Sequence, residues 1–359
     1  MADLFENPLH TDGFEFVEYA GDAPQLENLF EDLGFTAVAT HKDRDVTLYR
    51  QGQISFLLNK EKAGQGADFT KEHKSGASAM AFKVKDAAQA HKDALKRGAE
   101  DATNHGGSMN DNIHAIHGIG GTLIYFIDDS TFYDRDFDFE TTEKNPKGAG
   151  LTYIDHLTHN VHQGRMDHWA KFYEDVFNFR EIRYFDIEGK LTGLKSKAMT
   201  SPCGKIRIPL NESSDDKSQI KEFLDRFNGE GIQHIALGTD DIFATVDTLS
   251  ANGIPLQSSP DTYYDKVDER VKGHGENVAE LKKRRILIDG APTEGQGLLL
   301  QIFTKDAIGP VFFEIIQRKG NEGFGEGNFK ALFESIELDQ IQRGVLKDTD
   351  DTNGDKKCA

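Results

Sequence analysis

Three short stretches in the second half of the chain decide its fold: IDHLTHN (residues 154–160), GIQHIA (residues 231–236) and FFEIIQR (residues 312–318). Each is an apolar, strand-like run with one side chain that can bind a metal, and these side chains are His156, His234 and Glu314. Any one of them alone would more often be a satisfied core histidine or a buried ion pair. Two imidazoles and one carboxylate on one face of an octahedral ion leave three positions open, which is typical of non-haem Fe(II) sites that use O2. The three together therefore predict an iron site.

The composition narrows the class of protein and its partners. A chain of 359 residues is long enough for two domains that each bury a core. The net charge of −19 provides no basic surface for phosphates, so we expect no binding to nucleic acid or to anionic membranes. Two cysteines, Cys203 and Cys358, cannot form a disulfide framework, which favours a reducing cytoplasm. The sequence has neither a signal-peptide pattern nor an apolar run of membrane-spanning length, so we expect a cytoplasmic protein.

The two halves of the chain are weak copies of each other. Residues 22–35 and residues 169–179 each predict an amphipathic helix followed by a strand, with similar aromatic and acidic residues at the end of the helix. A second strand then leads into a helix in each half, over residues 87–98 and residues 242–253, and the spacing from Asp86 to Gly98 equals that from Asp241 to Gly253. Each half closes on another apolar strand. Repeated strand–helix–strand units predict curled sheets with helices on the outside.

The first half lacks metal-binding residues at the positions that match the three candidate ligands. In the same order it offers Phe16, then Ala79 or Met80, then Phe126. We therefore predict that the first half is a scaffold and that the second half carries the chemistry. The Pro/Gly-rich stretch at residues 144–150 predicts the boundary between them. The predicted units are residues 1–148 without a metal, residues 149–346 with the metal, and a polar, disordered tail at residues 347–359.

These motifs resemble those of the 4-hydroxyphenylpyruvate dioxygenase family, especially its bacterial members, within the vicinal-oxygen-chelate superfamily. The likeness runs from about Phe14 to Val345. It is densest in DHLTHNV (155–161), PLNE (209–212), GIQHIA (231–236), LLLQIF (298–303), FEIIQR (313–318) and GFGEGNFKALF (323–333). The resemblance implies an α+β fold of two tandem vicinal-oxygen-chelate domains of βαβββ repeats. Each domain would be an open, curled β-barrel with outer helices, and a C-terminal helix would follow.

The family resemblance also implies an activity. One Fe(II) per chain would be held by His156, His234 and Glu314. The enzyme would convert 4-hydroxyphenylpyruvate and O2 to homogentisate and CO2 in the catabolism of tyrosine and phenylalanine. Because this substrate is itself a 2-oxo acid, no separate 2-oxoglutarate would be required. The resemblance further implies a homo-oligomer, either a dimer or a tetramer.

Ten residues correspond to family positions around the substrate: Ser196, Asn211, Gln219, Gln233, Gln301, Phe303, Phe324, Asn328, Phe329 and Phe333. Without the family, the phenylalanines would be interpreted as core residues and most of the polar residues as surface residues. Gln233 and Gln301 are stronger candidates, because an amide inside an apolar strand must find a partner. The resemblance gives Gln301 a catalytic role beside the three ligands, and it implies that the C-terminal helix covers the iron. His159 lies three residues from His156, so in a strand it faces the opposite side and is predicted either to be structural or to support a ligand.

Three other molecular functions remain compatible with the sequence, and so does a secreted or pigment-related accessory role. 4-Hydroxymandelate synthase resembles this chain in fold, iron site and substrate, but it hydroxylates the benzylic carbon. An extradiol ring-cleaving dioxygenase shares the superfamily and the ligand set. From a different class, a metal-free protein of the same fold would bind a small ligand without chemistry. Iron content and product identity distinguish these possibilities.

Overall fold

Strands dominate the structure of this chain. A computed structural model describes residues 3–103, 113–128, 131–188, 193–215, 217–325, 327–329 and 343–344. The predicted C-terminal helix beyond Phe329, including Phe333, and the predicted tail at residues 347–359 lie outside the described residues. Among the residues that are described, no helix combines the length and the apolar character needed to cross a membrane.

Within its described residues, the first half forms one sheet and four α-helices. Its strands are β1 (Phe14–Ala20), β2 (Thr36–His41), β3 (Val46–Gln51), β4 (Ile54–Asn59), β5 (Gly76–Lys83), β6 (Ala115–His117), β7 (Leu123–Ile127) and β8 (Phe137–Phe139). Its helices are α1 (Ala23–Asp32), α2 (Gln65–His73), α3 (Ala87–Lys96) and α4 (Phe132–Asp136). The strand order in the sheet is β6-β7-β5-β1-β4-β3-β2-β8.

The second half forms a second sheet and six helices among the described residues. Its strands are β9 (Leu151–Val161), β10 (Arg180–Glu188), β11 (Gly193–Thr200), β12 (Arg207–Ser213), β13 (Gly231–Thr239), β14 (Leu287–Gly290), β15 (Leu298–Phe303) and β16 (Phe312–Lys319). Its helices are α5 (Met166–Phe177), α6 (Gln219–Phe227), α7 (Ile242–Ala251), α8 (Asp261–Tyr264), α9 (Val267–Arg270) and α10 (Val278–Arg284). The strand order is β10-β11-β12-β9-β13-β16-β15-β14.

The two sheets have the same connectivity. In the first, β1 lies parallel to β4 and antiparallel to β5, and β5 lies parallel to β7. In the second, β9 lies parallel to β12 and antiparallel to β13, and β13 lies parallel to β16. The prediction of an α+β fold with two tandem, similar sheets is therefore confirmed. The exact domain boundary stays a prediction, although the two sheets are formed by residues on either side of it.

Strand β9 shows how the chain separates an inner from an outer face. Side chains alternate along a strand. His156 faces inward, whereas Leu157 packs in the large apolar core and His159 bonds to Tyr173 of α5 at 2.7 Å. The same core includes residues of both halves, and Phe56 and Phe313 meet across it with ring centroids 6.3 Å apart. Both faces of the central strands are thus covered, which explains their nearly continuous apolar sequences.

The register of the strands corrects one of the predicted matches between the halves. Ala236 of β13 pairs with both His156 and Glu314, and in the first sheet Ala81 pairs with Phe16 and Tyr125. Phe16 therefore matches His156, as predicted, and Ala79, two residues before Ala81, matches His234. The residue that matches Glu314 is Tyr125, so the prediction of Phe126 was wrong by one residue. Every residue of the LIYFI run at 123–127 is buried, and such a run shows no alternation from which to read the register.

Candidate metal centre

Three neighbouring strands bring the predicted ligands together. His156 of β9, His234 of β13 and Glu314 of β16 are all buried, with at most 6% of each residue exposed. Oε2 of Glu314 lies 3.1 Å from Nε2 of His156 and 3.4 Å from Nε2 of His234. One ligand atom from each residue lies within 4.8 Å of the other two. Two imidazoles and a carboxylate at this spacing fit a divalent transition metal, which these three residues would hold.

Burial and the neighbouring charges shift the pKa values of all three ligands. Burial would raise the pKa of Glu314, but the imidazoles of His156 and His234 lower it to about 2. Burial would lower the pKa of His156, but Glu314 and Asp155 raise it above its ordinary value. Burial lowers the pKa of His234, which Glu314 only partly offsets. Without a metal, these shifts favour a proton on His156 beside an ionised Glu314, and metal binding must release that proton.

Two β-bulges orient the histidine rings. In the pairing of β9 with β13, Asp155 and Gln233 are each an extra residue that has no partner in the opposite strand. A bulge re-aims side chains, so that neighbours in the chain can face the same side. Oδ1 of Asp155 lies 2.9 Å from Nδ1 of His156, and Oε1 of Gln233 lies 3.0 Å from Nδ1 of His234. Both Nδ1 atoms are thereby engaged, which leaves both Nε2 atoms for a metal.

A small cavity opens beside the three ligands. Besides the ligands it is lined by Thr158, Pro209, Asn211, Gln301, Phe303, Phe324, Gly325, Asn328 and Phe329. Its volume is about 20 Å³, which is room for roughly one water molecule. Larger cavities of about 820 and 650 Å³ are lined by residues of both halves, but neither is lined by any of the three ligands. The metal centre is therefore nearly closed in this conformation.

Gln301 connects a ligand to the segment that covers the site. Its Nε2 donates to Oε1 of Glu314 at 2.8 Å and to the carbonyl of Phe324 at 3.3 Å. Its Oε1 accepts from Nδ2 of Asn328 at 2.8 Å. Gly325 has φ of +73°, and a Cβ there would lie 2.0 Å from Oε1 of Gln301. Only glycine allows the chain to approach this amide so closely.

The structure brings most of the predicted substrate residues to the cavity. The predicted residues that line it, apart from the three ligands, are Asn211, Gln301, Phe303, Phe324, Asn328 and Phe329. Ser196 is buried and pairs with Asn211 across β11 and β12. Gln233 lies behind His234, and Gln219 begins α6 away from the cavity. Phe333 is outside the described residues.

Several residues that matter for the site were not predicted. Thr158 and Pro209 line the cavity, and Phe312 stacks on His234 with centroids 4.8 Å apart. Among the described residues, Oγ1 of Thr158, Oδ1 of Asn211 and Oγ of Ser196 are buried without a hydrogen-bond partner. Asp155 and Arg318 form a buried ion pair behind His156. The sequence could have indicated this pair, because Asp155 and Arg318 are charged residues inside apolar strands, where a charge needs a partner.

The chain as a whole is similar to proteins of known families. The family model of the hydroxyphenylpyruvate dioxygenase N-terminal domain matches residues 5–138, and that of the glyoxalase/bleomycin resistance protein/dioxygenase superfamily matches residues 153–281. The chain is 61% identical to hemolysin VllY of Vibrio vulnificus over 95% of this chain and 98% of that protein. It is 58% identical to the 4-hydroxyphenylpyruvate dioxygenase of Pseudomonas aeruginosa over 95% of this chain and 97% of that enzyme. A solved mutant of the 4-hydroxymandelate synthase of Streptomyces coelicolor is 25% identical, with a TM-score of 0.80 over 92% of this chain and 99% of that chain.

Proposed function

The chain belongs to the 4-hydroxyphenylpyruvate dioxygenase family, and on that premise we propose that it is an Fe(II) enzyme that converts 4-hydroxyphenylpyruvate and O2 to homogentisate and CO2. The observation that carries the proposal is the buried group of His156, His234 and Glu314, whose ligand atoms lie within 4.8 Å of one another. Both histidines have their Nδ1 atoms engaged, so the set is prepared for a metal on the cavity side.

The chemistry divides between the metal and the protein. Fe(II), when bound, supplies a template for the 2-oxo acid and O2 and couples the reduction of O2 to loss of the carboxylate. The protein supplies a site from which water is excluded, because rings of Phe303, Phe324 and Phe329 line the cavity. We assign the aromatic ring of the substrate to the space between Phe303 and Phe329. An aromatic acid needs more room than about 20 Å³, so Phe324 and Phe329 must move when the substrate binds.

Neutral polar groups are suited to bind the substrate. Gln301, Asn211 and Asn328 offer amides at the cavity, and they add no charge that would compete with the carboxylate of the substrate for the metal. The unpartnered oxygens of Thr158 and Asn211 lie at the cavity and are available for a phenol hydroxyl, since a buried polar atom without a partner favours a ligand that supplies one. Ser196, with its own unpartnered hydroxyl, lies beside Asn211 and would support it. Gln301 holds Oε1 of Glu314, so that Oε2 remains available for the metal.

The test measures O2 uptake by protein that has been loaded anaerobically with Fe(II) and then given 4-hydroxyphenylpyruvate. The product is separated by chromatography against homogentisate and 4-hydroxymandelate, because these two acids are isomers and mass alone does not distinguish them. The proposal requires homogentisate, with about one O2 consumed per CO2 released, an expectation of the coupled chemistry.

Each other outcome rejects the proposal in a defined way. Mandelate as the product would retain the iron site and assign benzylic hydroxylation instead. Tight binding of the substrate by protein that takes up no iron would indicate a metal-free binding protein. Iron binding without O2 uptake would show that the substrate is a different one.

The family also suggests the setting of this activity. We propose a role in the catabolism of tyrosine and phenylalanine, a cytoplasmic location and a homo-oligomeric state of two or four chains. Sedimentation analysis of the purified protein measures the oligomeric state directly, and a monomer at micromolar concentration would contradict it.

A further inference from the structure

We propose that Arg318 is a positioning residue that fixes the orientation of His156 and, with the same guanidinium group, holds residues 321–325 over the metal centre. The metal part of this inference rests on the function proposed above. Arg318 lies on β16 four residues after Glu314, and therefore on the same face of that strand. It does not line the small cavity beside the metal centre, and none of its hydrogen bonds goes to the three ligands.

The contact toward the metal passes through Asp155. Nε and Nη2 of Arg318 donate to the two carboxylate oxygens of Asp155 at 2.7 and 2.8 Å. Oδ1 of Asp155, which takes one of these bonds, also lies 2.9 Å from Nδ1 of His156. The side chain of Asp155 is 0% exposed and that of Arg318 is 8% exposed. Because the two-pronged pair fixes the plane of the carboxylate, it also fixes the direction in which the imidazole points its Nε2.

The contact toward the covering segment uses the remaining nitrogen. Nη1 of Arg318 donates to the carbonyl of Asn321 at 3.0 Å and to the carbonyl of Gly323 at 2.6 Å. The next residue, Phe324, packs edge-on against the His156 ring, with centroids 5.7 Å apart. Four of the five donor hydrogens of this guanidinium are thus used in two directions. One side chain therefore links the orientation of a metal ligand to the position of the ring that covers it.

Arginine is required for this double role, and lysine cannot replace it. An ammonium group has no planar fork, so it cannot hold both oxygens of Asp155 and the two carbonyls in fixed directions. Arg207 is the other cation near Asp155, but its Nη1 is 3.7 Å from Oδ2 and its Nη2 bonds to Glu322. Arg207 therefore cannot take over the contact with the carboxylate plane.

The test compares Arg318→Lys and Asp155→Asn with a matched control, Arg284→Lys. Arg284 forms the same two-pronged pair with Asp247, at 2.7 and 2.8 Å, but this pair joins α10 to α7 on the outside of the protein. Two properties of the metal-free full-length protein are measured. The first is the affinity for Co(II) alone, with the visible spectrum of bound Co(II). The second is hydrogen–deuterium exchange of the peptide that contains residues 321–325.

Arg318→Lys is expected to weaken Co(II) binding by about 10- to 100-fold, to alter the Co(II) spectrum and to accelerate exchange at residues 321–325. Asp155→Asn is expected to alter affinity and spectrum to a similar degree, with a smaller effect on exchange, because Arg318 keeps its bonds to the two carbonyls. Arg284→Lys is expected to change neither property. These readouts require no turnover, so failure of the product assay in the unmodified protein would reject the proposed function alone.

The proposal is overturned if folded Arg318→Lys binds Co(II) with the affinity and spectrum of the unmodified protein. It is also overturned if Arg318→Lys fails to fold while Arg284→Lys folds, since Arg318 would then serve the stability of the sheet. Faster exchange throughout the second half, instead of at residues 321–325 alone, would likewise mean that Arg318 serves the stability of the sheet and would overturn the proposal.

Discussion

The two halves of this protein share a backbone and differ at the centre of each sheet. Where the second sheet has His156, His234 and Glu314, the first has Phe16, Ala79 and Tyr125, all buried in one apolar cluster. The rings of Phe16 and Tyr125 contact each other, with centroids 5.7 Å apart, at the positions that match His156 and Glu314. Seven strands of each sheet nevertheless follow the same order, with the eighth at opposite edges, and the central pairs β1/β5 and β9/β13 have matching registers. The fold therefore does not depend on a metal, and the inner face can change while the outer face keeps its packing on the helices.

Both halves have β-bulges at matching positions. In the pairing of β1 with β5, Glu15 and Ser78 are the unpaired extra residues, at the positions that match Asp155 and Gln233. The backbone irregularities are thus present in the half without ligands. They belong to the fold, and the second half uses them to place acceptors behind its two histidines. A working site needs these supporting side chains as well as the three ligands.

The largest expected effect comes from removing a ligand. Glu314→Ala should lower metal affinity by more than the roughly 100-fold that loss of a supporting residue costs, and it should abolish turnover. Metal content by atomic spectroscopy and O2 uptake measure both. Tyr125→Phe, at the matching position of the first half, is the control and should leave both unchanged. Retention of a stoichiometric metal in Glu314→Ala would show that this carboxylate is not a ligand.

The next largest effect is expected on stability, when a carboxylate is placed in the centre of the first sheet. Tyr125→Glu should lower the free energy of unfolding by about 3–5 kcal/mol, because Phe16 and Ala79 stand where the second half has imidazoles that stabilise the buried charge. Urea denaturation measures the change, and Tyr125→Phe again serves as the reference. Equal stability of Tyr125→Glu and Tyr125→Phe would contradict the view that the first half is an apolar scaffold.

A smaller effect should appear in the dependence of stability on pH. Burial lowers the pKa of His159 from 6.5 to about 3. Below pH 6.5 the unfolded chain therefore binds a proton at this residue and the folded protein does not. As the pH is lowered from 6.5 to about 3, this group alone should reduce the free energy of unfolding by about 1.4 kcal/mol per pH unit.

The variant His159→Phe should remove this part of the pH dependence. Its control is Tyr19→Phe, because Tyr19 occupies the matching position of the first half and burial raises the pKa of its phenol well above the ordinary value. A phenol is uncharged in both states in acid, so Tyr19→Phe should keep the full slope. Denaturation at several pH values measures the stability of both variants. If the free energy of unfolding of His159→Phe kept the same dependence on pH, His159 would not be its source.

The smallest effect should be equal in the two halves. Asp86 accepts from the backbone N–H of Gln89 at 2.8 Å, and Asp241 accepts from that of Ala244 at 3.1 Å, so each caps a helix in the same way. Asp86→Ala and Asp241→Ala should each cost about 1 kcal/mol of stability. Thermal or urea unfolding tests the pair. Very different costs would mean that the two helices do not have equivalent roles.

The sequence predicted those features that local patterns encode. The apolar runs around His156, His234 and Glu314 identified three strands, and the Asp-to-Gly spacing predicted the helices that the structure shows as Ala87–Lys96 and Ile242–Ala251. The missing ligands in the first half were also visible. Prediction failed by one residue at Tyr125, since a strand buried on both faces has no alternation to mark its register.

The sequence by itself determined that this chain has two related halves, that one of them carries metal-binding residues, and which family it resembles. Only the tertiary structure decided how those residues meet. The pairing of β9, β13 and β16 brings together side chains that are far apart in the chain, and two bulges aim Asp155 and Gln233 at the histidine rings. The pair of Asp155 with Arg318 spans 163 residues. Such contacts depend on register and on the curvature of the sheet, which arise from the packing of the whole fold and leave no local pattern in the sequence.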